Sequence, residues 1–260
     1  MQLNHYRSGA GPPLVLMHGI GHHWQGWLPV IDRLTPQREV IAPDLPGFGA
    51  SPMPPPGTVP GIGALADLVS GFLDDLGLER PHVAGNSMGG WLALELAKRG
   101  RVASATALSP AGFHNSVEAV YQRATLWTMS RSARLLAPRA EKIVSRPRLR
   151  TLAFSQIVAR PQVVPREEMG PAIRALAYAP WFDEMLTALA AERFGGGERI
   201  SVPTTIAWGG RDRLLLPHQA RRAARAVPRA RMRTLHGCGH VPMSDDPEQV
   251  AQVLLEGSAS

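Results

Sequence analysis

Residues 85–90 read GNSMGG, a serine with glycine two places before it and glycines two and three places after it. A serine hydroxyl becomes an effective nucleophile only when a base takes its proton and an acid orients that base. A serine on a sharp strand-to-helix turn has strained backbone angles, and side chains two positions away would collide with it. Gly85 and Gly89 are therefore requirements of such a turn, and Ser87 is a candidate for attack on a carbonyl. In a chain with 26 glycines the pattern alone is weak, so its partners must carry the case.

Nine histidines compete for the role of base. His240, in LHGCGHVPMSDDP, follows the last strand-like run in a glycine-rich loop, from which it can swing toward the carboxyl edge of a sheet. His18, in LMHGIG, reads as fixing the shape of its own loop, and His22 and His23 as lining a pocket mouth; the other five carry no motif. For the acid, Asp212 in TTIAWGGRDRLLLP follows a buried apolar run within a glycine-rich turn, where its carboxylate can orient an imidazole. Asp245 and Asp246 stand too close after His240 and read as helix caps, while Asp44 and Asp183 are weaker choices. A tetrahedral intermediate also needs donors, and these are expected from the backbone N–H groups of Met88, next to the serine, and Ile20, in the HGIG loop.

The elements that must position these residues are visible as a rhythm. Apolar runs at 13–19, 38–44, 81–87, 102–109, 204–210 and 230–237 alternate with helical patterns. That order predicts an α/β fold with a mostly parallel, doubly wound sheet and helices on both faces. A further short strand is expected within 2–7. Leu65, Leu68, Val69, Phe72, Leu73 and Leu76 place one apolar face on a helix over 64–77; another helix should run from Ser87 to Gly100, and a third should be capped by Asp246. From 113 to 200 the alternation breaks, and prolines chop the chain into short helical pieces closed by GGG at 195–197. The expected organisation is a core domain from 1–112 and 201–260, with 113–200 as a helical cap. Two stripes, Val117, Val120, Tyr121, Ala124 and Trp127, then Trp181, Phe182, Met185, Leu186 and Leu189, predict core packing. Their other use is a substrate-facing wall. Candidate pocket residues are thus His22, Trp24, Trp127, Trp181, Phe182 and Met185, a set that predicts preference for apolar acyl groups over acetyl.

Composition narrows the class. A chain of 260 residues at 44% hydrophobic can bury one full core. The single cysteine, Cys238, excludes an internal disulfide; no run approaches a membrane span, and MQLNHYRSGAG lacks the apolar region of a signal peptide. The expectation is a cytoplasmic monomer or homodimer without a membrane partner. The net charge of +7 comes from 26 arginines and two lysines spread along the chain. With no helix-turn-helix, zinc or RNA-binding signature, nucleic acid is not an expected partner, and the arginines read as solvating helix faces. Over 113–200 there are 13 Arg plus Lys against eight Asp plus Glu, so a basic surface docking an acidic acyl carrier is the other reading.

At these residues the chain resembles the α/β-hydrolase fold superfamily over essentially its whole length, and within it the small capped serine esterase-like members. LVLMHGIG is similar to the oxyanion loop, APDLPGFGASP to the D-x-x-G-x-G-x-S turn, GNSMGG to the nucleophile elbow, WGGRD to the acid turn and GCGHVPMSDDPEQV to the histidine loop, in the family's order Ser, Asp, His. The resemblance implies a cap inserted after the family's sixth strand position, no metal and no cofactor. It also implies hydrolysis of a small-molecule carboxylic ester through an acyl-serine. Thioester, lactone or carrier-linked ester hydrolysis are the alternatives, followed by C–C hydrolysis and by lyase or isomerase chemistry on the same fold. Haloalkane dehalogenases and epoxide hydrolases of the superfamily use an aspartate where this chain has Ser87, and the HGGG motif of another branch is absent. The short N-terminus departs from the family pattern.

Overall fold

In the computed structural model, which describes residues 1–259, the apolar runs become strands of one seven-stranded sheet. The strands are β1 (His5–Ser8), β2 (Pro13–Met17), β3 (Glu39–Pro43), β4 (His82–Asn86), β5 (Ser104–Leu108), β6 (Thr204–Gly209) and β7 (Arg231–Leu235), in the order β1-β3-β2-β4-β5-β6-β7. Only β1 is antiparallel, with His5 opposite Pro43; the remaining pairs are parallel. The expected short N-terminal strand is thus the edge of the sheet. Every residue of β4 and β5 is buried, as continuous apolar runs covered on both faces require.

Alternate residues of β2 feed two cores. Val15 and Met17 pack with α2 (Ile62–Asp75) and α3 (Met88–Lys98), whereas Leu14 and Leu16 pack on the opposite face with α1 (Leu28–Leu34) and the C-terminal helix. Leu65, Val69, Phe72 and Leu73 form the buried face of α2, which ends before Gly77 in the left-handed conformation at φ 69°.

Between β5 and β6 the chain makes only helices: α4 (Ser116–Leu136), α5 (Ala140–Val144), α6 (Pro147–Phe154), α7 (Arg166–Tyr178) and α8 (Phe182–Ala191), with short 3-10 turns. The stripe on α8 is buried as expected. The stripe on α4 is not: Val117 is 78% exposed, Trp127 is 50% exposed, and the buried side carries Glu118, Gln122, Ser130 and Ala133. The rotation of α4 is set by polar contacts at its start. Asn115 Oδ1 accepts the Glu118 N–H at 2.8 Å while Glu118 accepts the Asn115 N–H at 2.7 Å, and the same carboxylate pairs with Arg222 and His218. Burial opposes its charge, but these hydrogen bonds hold the Glu118 carboxyl down at about 2. The chain closes with α9 (Gln219–Ala226), α10 (Pro242–Asp245) and α11 (Pro247–Gly257). Among the described residues no helix is long and apolar enough to cross a membrane.

Candidate active site

The turn between β4 and α3 holds Ser87 at φ 58°, ψ −115°, a strained conformation for a side-chain-bearing residue. Its main chain is locked: the Ser87 N–H donates to Leu108 O, and Ser87 O accepts from both Trp91 N and Ala111 N, each at 3.0 Å. A Cβ on Gly85 would lie 2.1 Å from Gly89 O, and one on Gly89 would lie 2.1 Å from Met17 O. Both glycines are therefore steric necessities. Met88 opens α3, so its N–H has no helical acceptor and sits at the positive end of the helix dipole.

The HGIG loop reaches the same place from β2. A Cβ on Gly19 would stand 3.2 Å from Ser87 Cβ, and Ile20, the next residue, lines the cavity that Ser87 faces. His18 braces this loop: its Nδ1–H donates to Gly19 O at 2.7 Å and its Nε2 accepts the Leu45 N–H at 2.9 Å. Burial pushes its pKa down to about 4, so it is a neutral strut. Asp44 is a strut as well, accepting from Trp24 N at 2.7 Å and Ala50 N at 2.9 Å.

Asp212 follows β6 in the turn expected for it and is buried. One oxygen accepts the N–H groups of Leu214 and Leu215 at 2.9 and 2.8 Å; the other accepts the His240 Nδ1–H at 2.8 Å. An ionised carboxylate only accepts, so the proton belongs on Nδ1 and Nε2 keeps its lone pair for another donor. Ser87 and His240 line the same cavity. No hydrogen bond joins them among the described residues; contacts of this kind tighten when substrate is held.

Two positioning groups escaped the sequence reading. Asn86 donates its side-chain amide to Leu108 O at 3.1 Å and to His240 O at 2.9 Å, tying the histidine loop to the strand that ends at the serine. Asp245 was expected to be a cap, as Asp246 is, with its oxygen on Gln249 N at 3.0 Å. Asp245 instead accepts the main-chain N–H groups of Gly239, Ala159 and Arg160 at 2.7, 2.9 and 2.7 Å, clamping the histidine loop to the helical segment. The spacing D-D-P signals a cap for one aspartate only, and nothing local marks the second.

The cavity encloses about 490 Å³ between the carboxyl edge of the sheet and the helical segment. Leu126 and Met129 of α4, Phe154 of α6 and Ile173 of α7 make much of its wall, and Leu28, Leu136 and Leu152, all exposed, give it an apolar mouth. His22 and His23, the two histidines expected at a pocket mouth, both line it, whereas none of the five other candidate pocket residues does. The Nδ1 of His22 accepts the His23 N–H at 3.0 Å, and burial with the neighbouring His23 and His18 pushes the His22 pKa down to about 3.

The aromatic candidates are elsewhere. Trp24 stacks on Tyr6 at 5.0 Å, away from the cavity. Trp127 is on the outward side of α4 beneath the Arg131 guanidinium at 5.3 Å. Trp181, Phe182 and Met185 are spent on core packing, with Trp181 against Gly47 and Phe182 against Gly21 behind the HGIG loop. Their apolar character was legible, but the direction of the helix face was not.

A parallel sheet with a strained serine at one strand end, and a histidine–aspartate pair at the ends of later strands, is the architecture of a hydrolase. The chain belongs to the alpha/beta hydrolase family, which residues 14–253 match. It is 31% identical over 254 residues to the dihydrolipoyllysine-residue acetyltransferase component of the acetoin cleaving system of Cupriavidus necator, covering 93% of this chain but only 62% of that protein's length. It is 32% identical over 198 residues to the epoxide hydrolase EphH of Mycobacterium tuberculosis, covering 73% of this chain and 91% of that one. Among solved structures, a membrane phospholipase A described as a bacterial virulence factor superposes with a TM-score of 0.77 at 27% identity, covering all of this chain and 86% of the other.

Proposed function

We propose that this hydrolase cleaves carboxylic esters with apolar acyl groups, residues 113–200 acting as the cap. Ser87 Oγ attacks the ester carbonyl as His240 Nε2 takes its proton, and Asp212 stabilises the imidazolium. The N–H groups of Ile20 and Met88 receive the oxyanion. Collapse expels the alcohol, which takes the proton from His240 and leaves an acyl-serine. Water, deprotonated by the same histidine, then releases the acid and restores the Ser87 hydroxyl. The observation that carries this reading is the buried Asp212–His240 hydrogen bond beside a strained serine in one apolar cavity. Ser87 also argues against epoxide opening, despite the likeness to an epoxide hydrolase, since that chemistry in this superfamily uses an aspartate.

Ser87→Ala should lower the hydrolysis of p-nitrophenyl hexanoate by at least about a thousandfold. A phosphonate should label the wild type at Ser87; full activity in the alanine variant would overturn the assignment.

A second reading is favoured by one comparison. The likeness to a dihydrolipoyllysine-residue acetyltransferase component supports an acyl group delivered on a carrier, for which the basic cap would be the docking face. That reading requires kcat/KM for a carrier-linked substrate to fall steeply with salt.

A further inference from the structure

The cap is rich in cations, yet none of them reaches the wall of the cavity. Among the described residues the lining contains no arginine and no lysine; its charged side chains are Glu167 and Glu168. Three arginines of the cap are engaged elsewhere. Arg131 lies over Trp127, Arg134 pairs with Asp183 at 3.5 Å, and Arg174 pairs with Glu141 at 2.9 Å. The histidines of the wall do not make up the deficit. Burial holds His18 and His22 neutral, at about 4 and about 3, lowers His23 as well, and His240 is committed to Asp212.

Glu168 stands out within this wall. It is half-buried in the first turn of α7 and makes neither an ion pair nor a side-chain hydrogen bond among the described residues. Burial, with the charge of Glu167 adding to it, pushes its carboxyl up to about 6. Acids in a first turn suit the helix dipole, which accounts for the exposed Glu167. The dipole does not account for a second, unpaired carboxylate at the border of an apolar wall, where it is only partly hydrated. A ligand that brings a donor or a cation removes that cost. One that brings a second carboxylate meets like charge in a space with no counter-ion.

Building on the ester-hydrolase reading, we propose that this cavity selects uncharged and cationic substrates over carboxylate-bearing ones, and that Glu168 is the specificity residue that accepts a hydrogen bond or an ammonium group from the part of the substrate remote from Ser87. The apolar mouth and wall fit a chain of several methylenes between the ester and that polar end.

The test uses p-nitrophenyl esters of one chain length at pH 8: hexanoate, 6-trimethylammoniohexanoate and the adipate half-ester. For the wild type the expected kcat/KM is at least a hundredfold lower for the adipate than for the hexanoate, with the ammonium ester equal to or above the hexanoate. Glu168→Gln should lower the ammonium-to-hexanoate ratio of kcat/KM about tenfold, and Glu168→Lys should raise the adipate-to-hexanoate ratio about tenfold. Adipate turnover within threefold of hexanoate, or an ammonium-to-hexanoate ratio indifferent to Glu168→Gln, would overturn the proposal. Binding is read separately, from displacement of Nile red by hexanol, hexyltrimethylammonium and hexanoate. If no ester is turned over, the ester reading has failed, and the displacement series still decides charge selection. Weaker displacement by hexanoate than by the other two supports it, and equal displacement defeats it.

Discussion

Replacing Asn86 with alanine removes two buried donors at once, and the structure assigns them unequal values. The Leu108 carbonyl loses the amide at 3.1 Å but keeps the Ser87 N–H at 3.0 Å, so that loss costs about 1 kcal/mol, the net worth of one hydrogen bond. The His240 carbonyl loses its donor at 2.9 Å and has no other among the described residues. Orphaning a buried carbonyl costs about 1–3 kcal/mol. The sum is about 2–4 kcal/mol, which lowers Tm by roughly 5–15 °C in a chain of this size. Activity should fall further than stability requires, because the amide is what fastens the His240 main chain to β4. A displacement near 1 Å at a reacting group costs about a hundredfold, so kcat should drop about 10- to 100-fold with KM changed less. Circular dichroism melts and steady-state hydrolysis of a p-nitrophenyl ester, at a temperature well below both midpoints, measure the two effects. A lowered Tm with kcat within twofold of wild type would make Asn86 purely structural and refute its positioning role. An unchanged Tm would refute the accounting of its hydrogen bonds.

Asp245→Asn turns an amide N–H toward main-chain donors that now share a carboxylate, at a cost of about 2 kcal/mol. Since the clamp ties the histidine loop to the helical segment, KM should rise more than kcat falls, and calorimetry with ester kinetics would show whether it does. His18 and His22 titrate in the folded protein at about 4 and about 3, below their usual 6.5, so the unfolded chain takes up protons first as the pH falls. Stability should therefore be full above about pH 6.5 and be lost toward pH 4, at about 1.4 kcal/mol per pH unit for each histidine. Urea unfolding of His22→Asn at pH 7 and pH 5 should show a smaller difference than the wild type; an equal difference would count against His22 as a source of the slope.

The core of the fold was legible because its signals are local. The six apolar runs map onto β2 to β7, and the glycines around Ser87 announce a turn that nothing bulkier can make. Asp212 and His240 were legible for the same reason, each following a strand in a glycine-rich loop, and the structure joins them. The cavity wall was not legible, because periodicity shows that a helix has an apolar face without showing where the face points. On α4 a capping box and the Glu118–Arg222 pair decide the rotation, and a stripe that reads as core ends up in solvent. On α8 the apolar face is consumed behind the HGIG loop, so Trp181, Phe182 and Met185 never reach the cavity. Asn86 and Asp245 were missed because each acts on a main-chain partner remote in sequence, and no spacing rule encodes such a contact.

Because the clamp at Asp245 grips the N–H groups of Ala159 and Arg160, it reads the path of the backbone there, and of the two side chains only the Arg160 guanidinium adds to it, through the Asp245 carbonyl. The requirement that the clamp places on the helical segment is therefore a short stretch of backbone beside the histidine loop. A laboratory replacement of the helical segment should keep residues 157–160 as its fixed seam, since Ile157 O also accepts the Val241 N–H.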